Sequence, residues 1–225
     1  TPGSTFKLIT AAAAIDNLPD IHQRTFECSG STQVGGTTVT CTKAHGTLTF
    51  EEALNVSCNG AFAQIATELG SSVMEEYVDK TGLTDQYSIN GIMTAASSFD
   101  FESEGDAGLA WSGVGQGKDL VNPCALMIFC GAAANGGKAA IPQIIDHTAF
   151  HEGVRTSLYI RHNTEQLLEE STADTLKSMM KSDVENNYGL SNFPGLDIGA
   201  KSGTAEVDKS KASNAWFTGF LDDDD

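Results

Sequence analysis

The sequence predicts a mixed α/β fold of the α+β type, in which a helical region accompanies an antiparallel sheet. Apolar segments with helix-starting and helix-ending residues support the helical region, and the clearest covers 123–134 and stops at a Gly-Gly pair. Two strand-like segments, 197–205 and 214–221, support the sheet, because the polar residues 206–213 between them are typical of a hairpin turn.

The composition is that of a globular domain. The chain has 225 residues, of which 40% are hydrophobic and 19% charged, so it can bury a sizeable core. The formal net charge of -17 argues against nucleic acid or an anionic membrane surface as the main partner, since both attract basic patches. No stretch approaches the ~18 consecutive apolar residues that a membrane-spanning helix needs.

The other predicted elements follow local start and stop signals. A first helix covers 4–17, because Pro2-Gly3 interrupts any preceding structure and an alanine-rich run follows. Residues 26–42 are expected to form a hairpin that turns at glycine. Residues 86–119 are rich in Gly, Ser and Asp and are expected to be long surface loops. Further helices are expected at 49–54 with Thr47 or Thr49 as the cap, 61–69, 71–80 with Ser71-Ser72 as the cap, and 164–184.

Five cysteines are present, and none forms a C-x-x-C pair, which argues against a zinc ribbon or a thioredoxin-type site. Cys28 and Cys41 lie near the two ends of the predicted hairpin, where they can face each other. A disulfide between them and two reduced thiols are both compatible with this pattern. Cys124 and Cys130 lie in an apolar helix and are expected in the core.

Three further features carry little functional signal. His147-x-x-x-His151 would put two imidazoles on one face of a helix, but no third ligand accompanies them, so we predict no metal site and no cofactor. Residues 113–117 (Gly-Val-Gly-Gln-Gly) lack the spacing and the lysine of a phosphate-binding loop. His45, before Gly46, is expected to be a turn or packing residue.

The strongest chemical signal is Ser4-Thr5-Phe6-Lys7 at the start of the first helix. Positions i and i+3 share a helix face, so the Lys7 amine can approach the Ser4 hydroxyl. Serine becomes a good nucleophile when a base removes its proton, and lysine can be that base if burial and a nearby cation lower its pKa. At the helix N-terminus, the Ser4 N–H can also stabilise an oxyanion.

Two more motifs follow in order along the chain. Ser57-Cys58-Asn59 interrupts two helices, where a hydroxyl can relay a proton and an amide can hold a peptide carbonyl or the lysine. In the first strand of the terminal hairpin, Lys201 supplies a positive charge and Gly203 leaves room for a substrate close to the strand. The hydroxyls of Ser202 and Thr204 can bind a carboxylate.

Each short motif also occurs by chance, and this chain contains a second copy of two of them. Ser178-Met-Met-Lys181 lies in the middle of a predicted helix and is expected to be helix surface. Ser88-Ile-Asn90 has no preceding helix and is expected to be a turn. Ser4 differs because Pro2-Gly3 places it at the head of an apolar helix.

The order and setting of the motifs resemble the serine penicillin-recognising enzymes, which carry S-x-x-K, S-x-N and K-[ST]-G. Longer strings are similar to the transpeptidase domain of class B penicillin-binding proteins over essentially the whole chain. These strings are Pro2 to Lys7, His45-Gly46 ahead of Ala53 to Phe62, Gly115-Gln116-Gly117, and Lys201 to Ala205. The resemblance implies a penicillin-binding protein transpeptidase and β-lactamase-like fold.

The resemblance also implies a role for each motif residue. Ser4 would be the acylated nucleophile and Lys7 the general base. Ser57 would relay a proton to the leaving group, Asn59 would hold the substrate amide, and Lys201 would bias the electrostatics and assist the proton relay.

The implied substrate is a peptidoglycan stem peptide that ends in D-Ala-D-Ala, which β-lactams mimic. Ser202 and Thr204 would bind its carboxylate, with Gly203 beside them. The backbone N–H groups of Ser4 and Thr204 would form the oxyanion hole. The acyl group would then pass to an amine of a neighbouring stem and cross-link the peptidoglycan.

The chain departs from the family pattern mainly in extent. Ser202 replaces the commoner Thr but keeps the hydroxyl. Family members carry strands before the nucleophile helix, a strand and helix after the terminal hairpin, a membrane anchor and a non-catalytic domain. Residues 1–225 therefore correspond to a transpeptidase-domain fragment with an incomplete sheet, which we expect to be at best marginally folded and poorly active alone. The parent protein would be anchored at the extracytoplasmic face of the bacterial cell membrane, with cell-wall synthesis proteins as partners.

Three alternatives stay open at this point. A class D β-lactamase or β-lactam-sensor domain shares two motifs but usually has an apolar residue at the position of Asn59. A class A β-lactamase needs a glutamate for deacylation, and no glutamate here has a recognisable setting. A non-catalytic module could keep the fold, but the retention of every motif side chain argues against it.

Overall fold

The structure is a computed structural model that describes residues 1–151, 153–158, 160–205 and 212–222. Within these ranges, seven α-helices form the core, and a 3-10 turn at Gly3–Phe6 leads into the first of them. The helices are α1 (Lys7–Asn17), α2 (Phe50–Asn55), α3 (Asn59–Leu69), α4 (Ser71–Lys80), α5 (Gly105–Ser112), α6 (Pro123–Ala134) and α7 (Glu170–Asp183).

The strands described in the structure form five antiparallel pairs, so the α+β prediction is confirmed. They are β1 (Thr25–Cys28) with β4 (Gly46–Thr49), β2 (Ser31–Val34) with β3 (Thr37–Thr40), β5 (Ser88–Ile89) with β6 (Ile92–Met93), β7 (His147–Ala149) with β8 (Arg155–Leu158), and β9 (Ile198–Ala205) with β10 (Asn214–Leu221).

Helix α1 is the centre of the core. Every side chain from Lys7 to Ala14 is buried. The four consecutive alanines of α1 have small side chains, so α3, α4 and α7 can pack closely against this helix. Burial of this helix on all sides fixes its first residue, Lys7, in the interior. The apolar helix α6 and α7 cover the β9–β10 hairpin.

Local signals set several helix ends as predicted. Thr49, and not Thr47, caps α2: its hydroxyl accepts a bond from Glu52 N (3.2 Å), and the Glu52 carboxylate accepts one from Thr49 N (2.8 Å). Gly70 ends α3 with a φ of 81°. The predicted serine cap of α4 is wrong, because that helix follows Gly70 directly and Ser71 is already helical.

Two regions differ from the sequence prediction. The stretch 86–119 contains the short β5–β6 hairpin and α5, whose Leu109 and Ala110 are buried, so it is more than surface loop. His147 lies on strand β7 and His151 in a turn, so the two imidazoles do not share a helix face.

The β9–β10 hairpin forms as predicted, with Ile198 opposite Leu221 and Ala205 opposite Asn214. Residues 206–211 of the predicted turn, and 223–225 of the acidic end, lie outside the described residues. Within the described ranges, the helices fall short of the length and apolar character that crossing a bilayer requires.

Candidate active site

The turn that carries Ser4 is held between a glycine loop and a strand. Gly3 has a φ of 58°, and its N–H donates to Gly115 O (2.9 Å). A Cβ atom at Gly3 would lie 2.6 Å from Thr204 O, which only glycine avoids. Ser4 is half-buried at this junction.

The glycine loop 113–117 supports the turn Gly3–Phe6 that carries Ser4, named the nucleophile turn after the candidate nucleophile in it. A Cβ at Gly115 would collide with Gly3 O, and Thr10 Oγ1 donates to Gly113 O at 2.8 Å. Gln116 Nε2 donates to Thr204 O at 2.9 Å and so ties the loop to β9. This loop therefore aligns the nucleophile turn with β9, a role that its glycine spacing alone did not predict.

Lys7 lies at the centre of the site, fully buried. Its Nζ is 2.9 Å from Ser4 Oγ, 3.0 Å from Ser57 Oγ and 2.7 Å from Asn59 Oδ1. It also donates to the backbone oxygen of Ser57 at 2.8 Å. The structure thus brings together the S-x-x-K and S-x-N motifs. An ammonium group has only three hydrogens, so it cannot donate to all four of these oxygens. A neutral amine that accepts the Ser4 proton also fits the geometry.

The charge state of Lys7 is set by burial. Loss of hydration and, second, the Lys201 cation lower the pKa of Lys7 from 10.5 to about 7. At neutral pH a large fraction of this amine is therefore unprotonated, as a general base requires.

The Ser57-Cys58-Asn59 segment is strained and tightly held. Ser57 has a φ of 54°, a conformation that costs a non-glycine residue on the order of 1–3 kcal/mol. Asn59 bridges two elements, because its Oδ1 accepts from Lys7 while its Nδ2 donates to Thr40 O at 2.7 Å. Cys58, between them, is fully buried.

Lys201 forms a buried ion pair that the sequence did not predict. Its Nζ lies 3.3 Å from Asp183 Oδ2, and both side chains are 0% exposed. Burial lowers the pKa of Lys201 and raises that of Asp183, while each charge opposes the shift of the other. Asn187 Nδ2 donates to Asp183 Oδ1 (3.0 Å) and helps to fix the carboxylate.

Ser202 is more constrained than the sequence suggested. Its N–H donates to Tyr188 Oη at 2.7 Å, and its Oγ lies 2.8 Å from the same phenol oxygen. Tyr188 Oη is also 3.1 Å from Asp183 Oδ2, and burial raises the pKa of Tyr188 to about 12. Tyr188 thus joins Ser202 to the Lys201–Asp183 pair and keeps its proton at neutral pH.

Gly203 and Thr204 lie on opposite faces of β9. Thr204 is exposed, as a substrate-binding side chain must be. Gly203 is buried against the nucleophile turn, where a Cβ atom would lie 2.9 Å from Pro2 O and from Thr5 N. The absence of a side chain at Gly203 lets the strand pack on this turn. The sequence had suggested instead that it leaves room for the substrate.

We expect Asp183→Asn to lower the free energy of unfolding by about 3–5 kcal/mol, because it leaves the Lys201 charge buried without a counter-ion. Urea denaturation measures this change. Asp197→Asn is the matched control: Asp197 pairs with Lys181 at 2.7 Å but is 61% exposed, so its loss should cost at most about 1 kcal/mol. Equal effects of the two substitutions would contradict a stabilising role of the buried pair.

All five cysteines are free in the structure, which therefore contains no bond between Cys28 and Cys41. Cys28 ends β1 and pairs with Gly46 of β4, outside the β2–β3 hairpin, but its Sγ still lies within 4.8 Å of Cys41 Sγ. Cys28 Sγ lies 3.4 Å from His45 Nδ1, and Cys41 Sγ lies 3.8 Å from Cys58 Sγ. Cys130 is buried and Cys124 half-buried, as expected for core residues.

The chain is similar in sequence to known proteins. Stage V sporulation protein D of Bacillus subtilis is 30% identical over 91% of this chain and 32% of its own length. Peptidoglycan D,D-transpeptidase PbpA of Mycobacterium tuberculosis is 24% identical over 97% of this chain and 46% of its own length. The chain therefore spans about a third to about a half of the length of these relatives.

Solved structures share the fold. The ceftriaxone acyl-enzyme complex of penicillin-binding protein A from M. tuberculosis superposes with a TM-score of 0.88 at 22% identity, over 98% of this chain and 52% of that one. The D,D-transpeptidase domain of a peptidoglycan glycosyltransferase from Eggerthella lenta gives a TM-score of 0.83 at 24% identity, over 98% and 57%. The family described as penicillin binding protein transpeptidase domain matches residues 1–225. This chain belongs to that family.

Proposed function

We propose that this chain is the acyl-transfer part of a peptidoglycan D,D-transpeptidase. The observation that carries the proposal is the buried Lys7 amine, which lies within 3.0 Å of the hydroxyls of Ser4 and Ser57. The names of its relatives, a D,D-transpeptidase among them, support the same reaction. Such an enzyme acts at the extracytoplasmic face of the cell membrane, with cell-wall synthesis proteins as partners.

In the first step, the neutral Lys7 amine takes the proton of Ser4 as Oγ attacks the carbonyl of the penultimate D-Ala. The N–H groups of Ser4 and Thr204 stabilise the oxyanion. The C–N bond then breaks, and the proton passes from Lys7 through Ser57 to the nitrogen of the departing D-Ala. The product is an ester on Ser4.

In the second step, an amine of a neighbouring stem attacks this ester and gives up a proton to Lys7. The C–O bond to Ser4 Oγ then breaks, Lys7 returns the proton to Ser4, and the new amide bond is the cross-link. Asn59 holds the substrate amide during both steps. The exposed Thr204 hydroxyl binds the substrate carboxylate. The buried Lys201, on the opposite face of β9, contributes its positive charge to the electrostatics of the site. Ser202 contributes once its hydroxyl turns from Tyr188 to the substrate.

The test uses the full-length protein, a stem pentapeptide ending in D-Ala-D-Ala, and benzylpenicillin. We expect release of D-Ala with formation of a cross-linked dimer, and a penicillin adduct that persists on intact-protein mass spectra. Rapid hydrolysis of penicillin without a lasting adduct would identify a β-lactamase and refute the proposal. The absence of both adduct and D-Ala release would identify a non-catalytic module.

A further inference from the structure

Four potential metal ligands meet beside the candidate active site. The Sγ atoms of Cys28, Cys41 and Cys58 and one ring nitrogen of His45 all lie within 4.8 Å of one another. They come from separate elements: the end of β1, the residue after β3, the residue before β4 and the residue before α3. We propose that these four residues bind a structural zinc ion.

The distances fit tetrahedral coordination. With Zn–S bonds near 2.3 Å and Zn–N bonds near 2.0 Å, the edges of the tetrahedron are about 3.8 Å between two sulfurs and about 3.5 Å between sulfur and nitrogen. The Cys41 and Cys58 sulfurs are 3.8 Å apart, and Cys28 Sγ is 3.4 Å from His45 Nδ1. A disulfide would instead need about 2.05 Å between sulfurs.

The chemistry of the set selects zinc over other ions. Three thiolates and one imidazole are soft or borderline ligands, which favour zinc and disfavour magnesium or calcium. Four protein ligands leave no open position, which is the mark of a structural site. The backbone N–H of Gly60 points at Cys41 Sγ, 3.4 Å away, as an outer hydrogen bond to a ligating thiolate would.

The position of the four ligands shows which parts of the fold the ion would hold together. The four ligands join two separate strand pairs to the loop before α3, and none of these short strand pairs is stable alone. A closed site with four protein ligands fixes such loops because metal binding is coupled to folding.

The site would also hold part of the catalytic machinery. Cys58 lies between the strained Ser57 and Asn59, and Cys41 follows Thr40, whose carbonyl accepts the Asn59 amide. Zinc would thus fix Ser57 and Asn59, two of the three residues that contact the Lys7 amine. This positioning effect rests on the proposed function, but the metal content does not.

The metal test uses the full-length protein, expressed with zinc and purified under reducing conditions without chelator. Elemental analysis is expected to give about one zinc ion per chain. Exchange for cobalt(II) should give the visible absorption of tetrahedral cobalt with thiolate charge-transfer bands. Cys28→Ser, Cys41→Ser and Cys58→Ser should each lose most of the metal.

Two controls separate ligation from folding. Cys124→Ser removes a half-buried cysteine outside the cluster and should keep the zinc. His45→Cys restores a fourth ligand, because a set of four cysteines also binds zinc, and should keep zinc with stronger charge-transfer absorption, whereas His45→Ala should lose it. These outcomes hold even if one serine variant fails to fold.

Three results would overturn the proposal: reduced wild-type protein without stoichiometric zinc, zinc retained by all cluster variants, or a zinc-free chain lighter by two hydrogens, which indicates a disulfide among the cysteines of the cluster. As a second readout, chelation should slow penicillin acylation about tenfold or more, and added zinc should restore it. Failure of acylation with zinc present would refute the proposed function and leave the metal site standing.

Discussion

Replacing Ser4 by alanine is expected to abolish the covalent penicillin adduct. Acylation needs an oxygen nucleophile next to a base, and the Ser4 hydroxyl lies 2.9 Å from Lys7 Nζ. In serine enzymes, loss of the nucleophile costs roughly 10⁶-fold in rate, so no adduct should accumulate within hours. Intact-protein mass spectrometry of the full-length variant after incubation with benzylpenicillin measures the effect.

The chain offers a matched control for this experiment. Ser178 has the same S-x-x-K spacing to Lys181 but is exposed in the middle of α7. Ser178→Ala should therefore acylate at the wild-type rate. An adduct that persists in Ser4→Ala, or one that disappears in Ser178→Ala, would show that the nucleophile lies elsewhere, and peptide mapping would locate it.

The nucleophile turn could be predicted because its determinants are local. Pro2-Gly3 interrupts any preceding secondary structure, Gly3 adopts a positive φ, and the i, i+3 spacing brings Lys7 to Ser4 within one turn. The terminal hairpin was equally accessible, since β9 and β10 lie close together in sequence and alternate as strands do. Such features depend on residues that are close to one another in the sequence.

The partners of the site residues could not be predicted in this way. Asp183 and Tyr188 reach Lys201 and Ser202 from α7 and the turn after it, and only the packing of α7 on β9 brings them there. A polar residue at a helix end usually faces solvent, so nothing in the sequence marks Asp183 as buried.

The cysteine cluster was missed for a related reason. Metal sites are recognised in sequence by closely paired ligands such as C-x-x-C, whereas these four ligands are spread over residues 28–58. The apparent hairpin from 26 to 42 suggested that Cys28 faces Cys41. The hairpin instead covers only β2 and β3, and β1 pairs with β4. This pairing brings His45 to Cys28, while Cys41 lies beside Cys58, so that all four ligand atoms are within 4.8 Å of one another.

Replacing Lys7 by methionine is expected to slow acylation of Ser4 by about 10²–10⁴-fold, the usual contribution of a general base. Stopped-flow acylation with a chromogenic β-lactam measures the rate constant. Lys181→Met is the control, because Lys181 belongs to the exposed S-x-x-K copy and pairs with Asp197 and Asp222 at the surface. It should acylate like the wild-type protein.

The pH dependence separates a base from a fixed positive charge. With a pKa of about 7, half of the Lys7 amine is neutral at pH 7, whereas an ordinary lysine with a pKa of 10.5 would be about 0.03% neutral. The neutral form is the base, so the second-order acylation rate should rise about tenfold per pH unit below pH 7 and level off above it.

Lys7→Arg distinguishes a base from a fixed positive charge, because arginine keeps a cation but cannot lose its proton near neutral pH. If Lys7 acts as a base, the arginine variant should be as slow as the methionine variant at every pH. A rate that is independent of pH between 5 and 8, or an arginine variant with wild-type acylation, would assign Lys7 a purely electrostatic role. The same profiles recorded for Asp197→Asn should match the wild type, since that carboxylate lies at the exposed end of the Lys181 ion pair and does not contact Lys7.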